Sequence, residues 1–321
     1  MEALEVIHAG ALTTIQDLGR YGYQRYGVPI GGAMDKFALR IANLLVGDQE
    51  GEAALEATIL GPKLRAMRRL RLAFTGADLS PKINGFPSPM WCCLAVKEGD
   101  MISFGAPRSG CRMYIALGGG VDVPLMMGSR STHIQARLGG LSRPLTQGDV
   151  IHVNVKGEEK DLGKFESFKP LAKEEIPIYT RSWRIRVILG PQKDYFTPRG
   201  LKTFLEEQYV ITSQSDRVGY RLNGPKIEHK SGADIITDAT PSGSVQIPGD
   251  GMPIILLSDC QTTGGYTKIG VVISSDQDKL GQAKPGDKIN FEKITISQAH
   301  QILADMGKKI RKIKNSISLG V

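Results

Sequence analysis

Gly286-Asp287-Lys288-Ile289-Asn290-Phe291 is a Gly-Asp turn that runs into a short strand with Ile at its second position. The same signature occurs at Gly99-Asp100-Met101-Ile102-Ser103-Phe104 and at Gly148-Asp149-Val150-Ile151-His152-Val153. A second pair of segments matches as well, Gly61-Pro62-Lys63-Leu64 and Gly224-Pro225-Lys226-Ile227. Gly-Asp punctuates the chain as a turn. Recurrence at long, unequal intervals excludes a solenoid and points to a duplicated β-rich unit with insertions. The 38 glycines and few aromatics agree, favouring many short strands joined by tight turns. The expected class is mainly β, a β-rich α+β chain with a few short helices.

Outward from these turns the chain divides into four parts. Residues 1–155 form an N-terminal β-rich subdomain that opens with a strand from Leu4 to His8. Within it Asp35 is placed to cap a helix whose apolar residues, from Phe37 to Val46, recur at helical spacing until Gly47. Residues 156–181 read as a linker or excursion, because Lys156 to Glu175 is Lys/Glu-rich and contains Pro170. Residues 182–292 form a second β-rich subdomain, starting at Trp183 and containing a short helix between Phe196 and Leu205. Residues 293–321 form a basic C-terminal helix, capped by Ser297, that carries Ile302, Leu303, Met306 and Ile310. Its lysines are expected in the last turns, where they complement the helix dipole.

The 321 residues suffice for two domains with real cores. The formal charge is +8, but six Lys or Arg against one acid lie between Lys293 and Lys314. No aromatic residues interleave with that cluster or with the one from Lys63 to Arg71, so no nucleic-acid partner is expected. The four cysteines include no Cys-x-x-Cys pair, which fits a reducing compartment. With no signal peptide and no apolar run of membrane-spanning length, the expected location is the cytoplasm, away from any membrane. The five scattered histidines offer no zinc motif, and no metal is expected. P-loop, dinucleotide and nucleophile-elbow motifs are absent, as is a Met-Lys-Met biotin-attachment tripeptide.

Four polar constellations stand out. One is Gln16-Asp17-Leu18-Gly19-Arg20, where Asp17 and Arg20 are candidates for an internal ion pair. A second is Gly128-Ser129-Arg130-Ser131-Thr132, where Arg130 beside Ser131 and Thr132 can fork a carboxylate. The third, Ser215-Asp216-Arg217-Val218-Gly219-Tyr220-Arg221, offers Asp216 as a base, or as the ion-pair partner of Arg217 or Arg221. The fourth follows the apolar run from Met252 to Leu257: Asp259-Cys260-Gln261-Thr262-Thr263-Gly264-Gly265-Tyr266, with Gln246 upstream. It reads either as a tight turn or as a ligand loop whose glycines let N–H groups approach a small polar molecule.

Taken with Gly32-Ala33-Met34-Asp35, Leu55-Glu56, Thr75-Gly76-Ala77 and Gly119-Gly120-Val121-Asp122-Val123-Pro124, these segments occur in an order that resembles one family. It is the allophanate hydrolase subunit 2 family, also called the biotin-dependent carboxyltransferase or KipA-like family, whose bacterial members are commonly the C subunit of 5-oxoprolinase. The resemblance spans roughly residues 4 to 292 and implies tandem cyclophilin-like β-barrel units. It also implies a partner, the B subunit (allophanate hydrolase subunit 1, KipI-like), and in the oxoprolinase version an A subunit too. There ATP drives opening of 5-oxoproline to glutamate. In the urea carboxylase version a carboxyl group passes to urea from biotin carried by another protein. In the KipA version the protein antagonises a kinase inhibitor.

A lactam is a poor electrophile, so its opening needs ATP as activating substrate and donors around a developing oxyanion. On this reading Arg130, Asp216 and Asp259 are the catalytic candidates. Ser131, Thr132, Arg217, Arg221, Gln246, Gln261, Thr262, Thr263, Gly264, Gly265 and Tyr266 are the substrate-binding candidates. The nucleotide site falls on this chain or on a partner.

Overall fold

The computed structural model describes residues 1–154 and 170–318. Most of the linker read at 156–181 therefore lies outside the described residues. The chain forms two compact units. The first comprises Met1–Arg20, Gly31–Tyr179 and Lys309–Val321, and the second Tyr21–Ile30 and Thr180–Lys308.

Among the described residues the first unit contains eleven strands. They are β1 (Glu2–His8), β2 (Leu12–Gln16), β3 (Ala54–Thr58), β4 (Lys63–Ala66), β5 (Leu70–Asp78) and β6 (Lys82–Ile83), followed by β7 (Phe86–Pro87), β8 (Cys93–Val96), β9 (Met101–Ser103), β10 (Ser109–Leu117) and β11 (Val150–His152). One sheet runs β11-β1-β4-β9-β6-β7 and the other β2-β3-β10-β5-β8. Both contribute to a single apolar core, with Leu4, Val6, Leu64 and Ile102 from one sheet and Leu55, Phe74, Met113 and Ile115 from the other. The helix α1 (Lys36–Leu45) packs on β5 and β10. Asp35 caps it as expected, its side chain accepting from Ala38 N at 2.8 Å.

The second unit contains eight strands among the described residues: β12 (Ser182–Leu189), β13 (Tyr209–Ile211), β14 (Gly219–Asn223), β15 (Asp234–Ala239), β16 (Ser244–Ile247), β17 (Ile254–Leu256), β18 (Thr263–Val272) and β19 (Lys288–Lys293). The order β12-β19-β13-β14-β17-β16-β18 closes on itself through a β12–β18 pairing, a seven-stranded barrel with β15 added outside β18. Closure removes the free edges that an open sheet would expose. The fold is thus β-rich, as the Gly-Asp turns indicate. The second unit closes into one ring, whereas the first is built from two sheets sharing a core.

The three Gly-Asp turns have one geometry. Gly99, Gly148 and Gly286 sit at φ 85°, 86° and 88°. In each, the following aspartate accepts the N–H three residues back, from Lys97, Thr146 and Lys284 at 2.7, 2.8 and 3.2 Å. Two of these turns lie in the first unit, so the signature marks a local turn and not one copy per unit.

Three further α-helices lie among the described residues: α2 (Pro198–Glu206), α3 (Ser274–Gln282) and α4 (Ile296–Ser318). The cap of α4 is Thr295 and not Ser297. Thr295 Oγ1 accepts from Gln298 N, and Gln298 Oε1 accepts from Thr295 N at 2.9 Å, a reciprocal capping box. The helix continues to Ser318, so its last turn carries no basic residue, and the lysines fall in the turns before it. Among the described residues no helix is long and apolar enough to cross a membrane.

Candidate functional site

In the first unit Asp17, just after β2, organises the loop carrying Arg130. Its Oδ1 accepts from Ser129 Oγ at 2.7 Å, from Gly19 N at 2.8 Å and from Ser131 Oγ. Its Oδ2 accepts from Arg130 N at 2.5 Å. Arg20 donates to the Ser131 carbonyl, so Asp17 is held by hydroxyls and amides where an Arg20 pair was the expectation. Ser131 and Thr132 are 0% and 1% exposed. Ser131 is held by Asp17, and a Cβ on Gly140 would lie 2.0 Å from Thr132 Oγ1. Both candidate substrate contacts therefore sit buried within the loop. Arg130 itself is partly exposed. Its Nε donates to Val123 O at 3.0 Å, and Nη1 lies 3.8 Å from Glu52 Oε2.

The same unit holds a buried polar chain that sequence reasoning missed. Tyr114 on β10 donates to Glu56 Oε2 at 2.6 Å and accepts from Asp35 N at 2.8 Å. Arg112 Nε lies 3.7 Å from Glu56 Oε1, and Tyr179 donates to Asp35 Oδ2 at 3.0 Å. Burial, followed by the Glu56 and Asp35 carboxylates, holds the Tyr114 phenol well above its usual range, so it remains a donor. The motifs around Asp35 and Glu56 thus secure α1 to the sheet. Tyr179 also lines a cavity of about 360 Å³, with Gly76 of Thr75-Gly76-Ala77 in its wall. Arg112 and Tyr114 sit in a strand that reads as apolar, and Tyr179 lies in the expected linker, so neither position carried a signal.

In the second unit Arg217 and Asp259 form a buried two-point pair, Nε to Oδ2 at 2.8 Å and Nη2 to Oδ1 at 3.0 Å, each about 5% exposed. Asp259 N also donates to Arg217 O, joining two loops. Both carboxylate oxygens of Asp259, a candidate base, are thus engaged by Arg217, a candidate substrate contact. Asp216 forms no ion pair with either arginine among the described residues. Its Oδ1 accepts from Val218 N at 2.8 Å and Gly219 N at 3.2 Å, an Asx turn leading into β14. Arg221 is an exposed residue of that strand.

Thr263, Gly264, Gly265 and Tyr266 belong to β18 and not to a loop. There Gly264 lies opposite Asp238 and Tyr266 opposite Asp234 on β15. The two glycines therefore belong to a strand ladder. Gly264 is small for a packing reason, since a Cβ would lie 2.7 Å from Gln246 Nε2. Gln246 is 2% exposed, and its Nε2 has no hydrogen-bond partner among the described residues. Gln261 and Thr262 are tied through their carbonyls, to Thr240 Oγ1 at 2.6 Å and Thr240 N at 2.9 Å. Their side chains, with those of Thr263 and Tyr266, remain at least partly exposed. Burial pushes the Cys260 thiol up to about 12, so it is not a nucleophile at neutral pH. Among the described residues no cluster of side chains could hold a metal ion.

The carboxyltransferase domain family, subdomains A and B, matches residues 26–293. The chain is 33% identical to the C subunit of 5-oxoprolinase from Escherichia coli over 97% of both chains. It is 33% identical to urea amidolyase of Lachancea kluyveri over 98% of its own length, but spans only 18% of that protein. Among solved structures, the K. lactis urea amidolyase superposes with a TM-score of 0.90 at 32% identity, over 97% of this chain and 20% of that one.

Proposed function

The chain belongs to the carboxyltransferase domain family, and on that premise we propose that it is the C subunit of a 5-oxoprolinase complex, opening the lactam of 5-oxoproline to glutamate with hydrolysis of ATP. The observation that carries this reading is the match to 97% of the length of the E. coli 5-oxoprolinase C subunit, against 18% of the urea amidolyase. Transfer of the ATP γ-phosphoryl to the lactam oxygen creates a leaving group. Water then adds to the carbon bearing that oxygen, the C–N bond of the tetrahedral adduct breaks as the nitrogen takes a proton, and a second water hydrolyses the resulting γ-glutamyl acyl phosphate to glutamate and phosphate. The A and B subunits complete the machinery.

Within this chain Arg130 is the candidate for an anionic oxygen of substrate or transition state. Its guanidinium is oriented by Val123 O yet remains partly exposed. Arg221 and the face bearing Gln261, Thr262, Thr263 and Tyr266 are the candidates in the second unit. A second reading is carboxyl transfer to urea from biotin delivered on another polypeptide, favoured by the TM-score of 0.90 to urea amidolyase.

Co-expression with homologues of the A and B subunits tests both. ADP and glutamate should appear together from ATP and 5-oxoproline, and the purified chain alone should produce neither. Arg130→Ala should lower turnover of the complex at least a hundredfold without moving the melting temperature, in keeping with loss of one transition-state donor. Turnover by the lone chain would sink the composite-enzyme reading. ATP cleavage dependent on urea and a biotinylated carrier, without glutamate, would favour the second.

A further inference from the structure

We propose that the cavity in the first unit is a binding site for a small organic carboxylate. At about 360 Å³ it sits at the lower end of the range for small-molecule sites, enough for a molecule of amino-acid size. Met90, Trp91 and Pro177 give it apolar walls, and Ser80 and Ser109 add polar groups. Three charged residues line it: Lys82, Arg108 and Asp78. Asp78 is accounted for. It lies 3.7 Å from Arg108 and accepts from Ser80 N at 2.8 Å. Lys82, on the short β6–β7 hairpin, is only partly exposed and has no ion pair among the described residues.

A partly buried lysine beside apolar walls, with no ion-pair partner of its own among the described residues, is ready to take an anion. One unpaired lysine with no glycine-rich amide cradle suits a single carboxylate. A nucleotide polyphosphate takes several cations or amides. A simpler account is that Lys82 is a solvated hairpin lysine. The backbone argues against it. Ser80 and Trp91, both lining the cavity, are held at φ 52° and 57°, the left-handed region that costs a non-glycine residue free energy. Trp91 is fixed there from both sides, its N donating to Phe74 O at 2.7 Å and its O accepting from Leu171 N at 2.8 Å. Tyr179, anchored on buried Asp35, fixes another wall. The cavity is therefore shaped in advance, which is how a site limits the ordering cost of binding.

The site itself is argued from the cavity, and the choice of 5-oxoproline as its ligand rests on the oxoprolinase reading. Calorimetric titration of the full chain with L-5-oxoproline and with pyrrolidin-2-one, the same ring without the carboxylate, tests it. The acid should bind at least tenfold tighter than the neutral ring. Lys82→Met should abolish that preference, while Arg65→Met, on the other side of β9, should keep it. Should Lys82→Met fail to fold, Lys82→Gln and the two-ligand comparison on the unmodified chain carry the test. Absence of binding by the acid, equal affinity for both rings, or an unchanged preference in either Lys82 variant overturns the proposal. Binding without turnover in the assembled complex would instead count against the oxoprolinase reading and leave this site standing.

Discussion

At the scale of single residues, burial decides what each polar side chain does. Arg217 and Asp259 look like site residues in the sequence, since both sit in polar loops beside glycine or hydroxyl residues. They stand 42 positions apart, and nothing local shows that they meet in a buried pair. Removing one partner strands a buried charge, so Asp259→Asn or Arg217→Met should each cost about 3–5 kcal/mol in denaturant unfolding. If Asp259 were a free base at an exposed site, Asp259→Asn would leave stability untouched. A second buried acid gives a pH-dependent test. Asp276, at the start of α3, accepts from Arg186 N at 2.8 Å, Arg186 Nε at 3.0 Å and Arg186 Nη2 at 2.6 Å. Burial pushes its carboxyl up, but the hydrogen bonds from Arg186, with Lys279, outweigh burial and hold it below the ordinary 3.8. A depressed folded-state value means that this acid stabilises the fold above its unfolded value and loses that contribution as pH falls through the folded one. The stability gap between the parent chain and Asp276→Asn should therefore be full at pH 6 and shrink below about pH 4. A gap that is flat to pH 2.5 would show that Asp276 is not held ionised.

At the scale of elements, local chemistry was legible where it is self-contained. The Gly-Asp turns and the Asp35 cap each involve neighbours within three residues, and the structure shows both as read. The α4 cap was misplaced by two residues, because Thr295-Ile296-Ser297-Gln298 offers two hydroxyls. Only the reciprocal bond between Thr295 and Gln298 chooses between them. A barrel is what the family resemblance implies and the second unit shows, but local sequence alone does not reveal its closure, since the β12–β18 pairing joins segments about 80 residues apart. One turn signature in three settings also gives a graded prediction. Asp287 is buried and accepts from Trp183 Nε1 at 3.1 Å as well as from its own turn. Asp100 has the same turn bond but sits near the surface. Asp287→Ala should cost about 1–3 kcal/mol, because it leaves the Trp183 donor unsatisfied, and Asp100→Ala about 1 kcal/mol or less. Equal costs in parallel unfolding titrations would mean that the turn alone sets the contribution.

At the scale of the whole molecule, composition divides the chain into four consecutive parts, and compactness groups it into two units built from separated segments. The first regains the end of α4, and the second takes Tyr21–Ile30 from within the N-terminal region. Composition cannot report such an exchange, because it depends on which apolar residue finds which core. The apolar face expected for α4 included Leu303, which is 47% exposed, whereas Ile310 and Ile313 are 3% and 2% exposed. Beside those two isoleucines, Lys309 and Lys312 hold Glu175 at 3.3 and 3.1 Å, and the Lys309 ammonium lies 5.3 Å from the Phe37 ring centre. Exposed or half-exposed ion pairs of this kind contribute about 0.2–1 kcal/mol each, whereas a buried isoleucine contributes about 1.5–3 kcal/mol, so the isoleucines dominate the attachment. Ile313→Ala should accordingly cost about 2–5 kcal/mol and Leu303→Ala well under half of that. The loss should also be local to one unit. Hydrogen exchange should quicken in β5 and β10 of the first unit while amides of β14 and β17 in the barrel keep their protection. Loss of protection confined to the barrel would assign the end of α4 to the wrong unit, and with it the exchange of segments between the two.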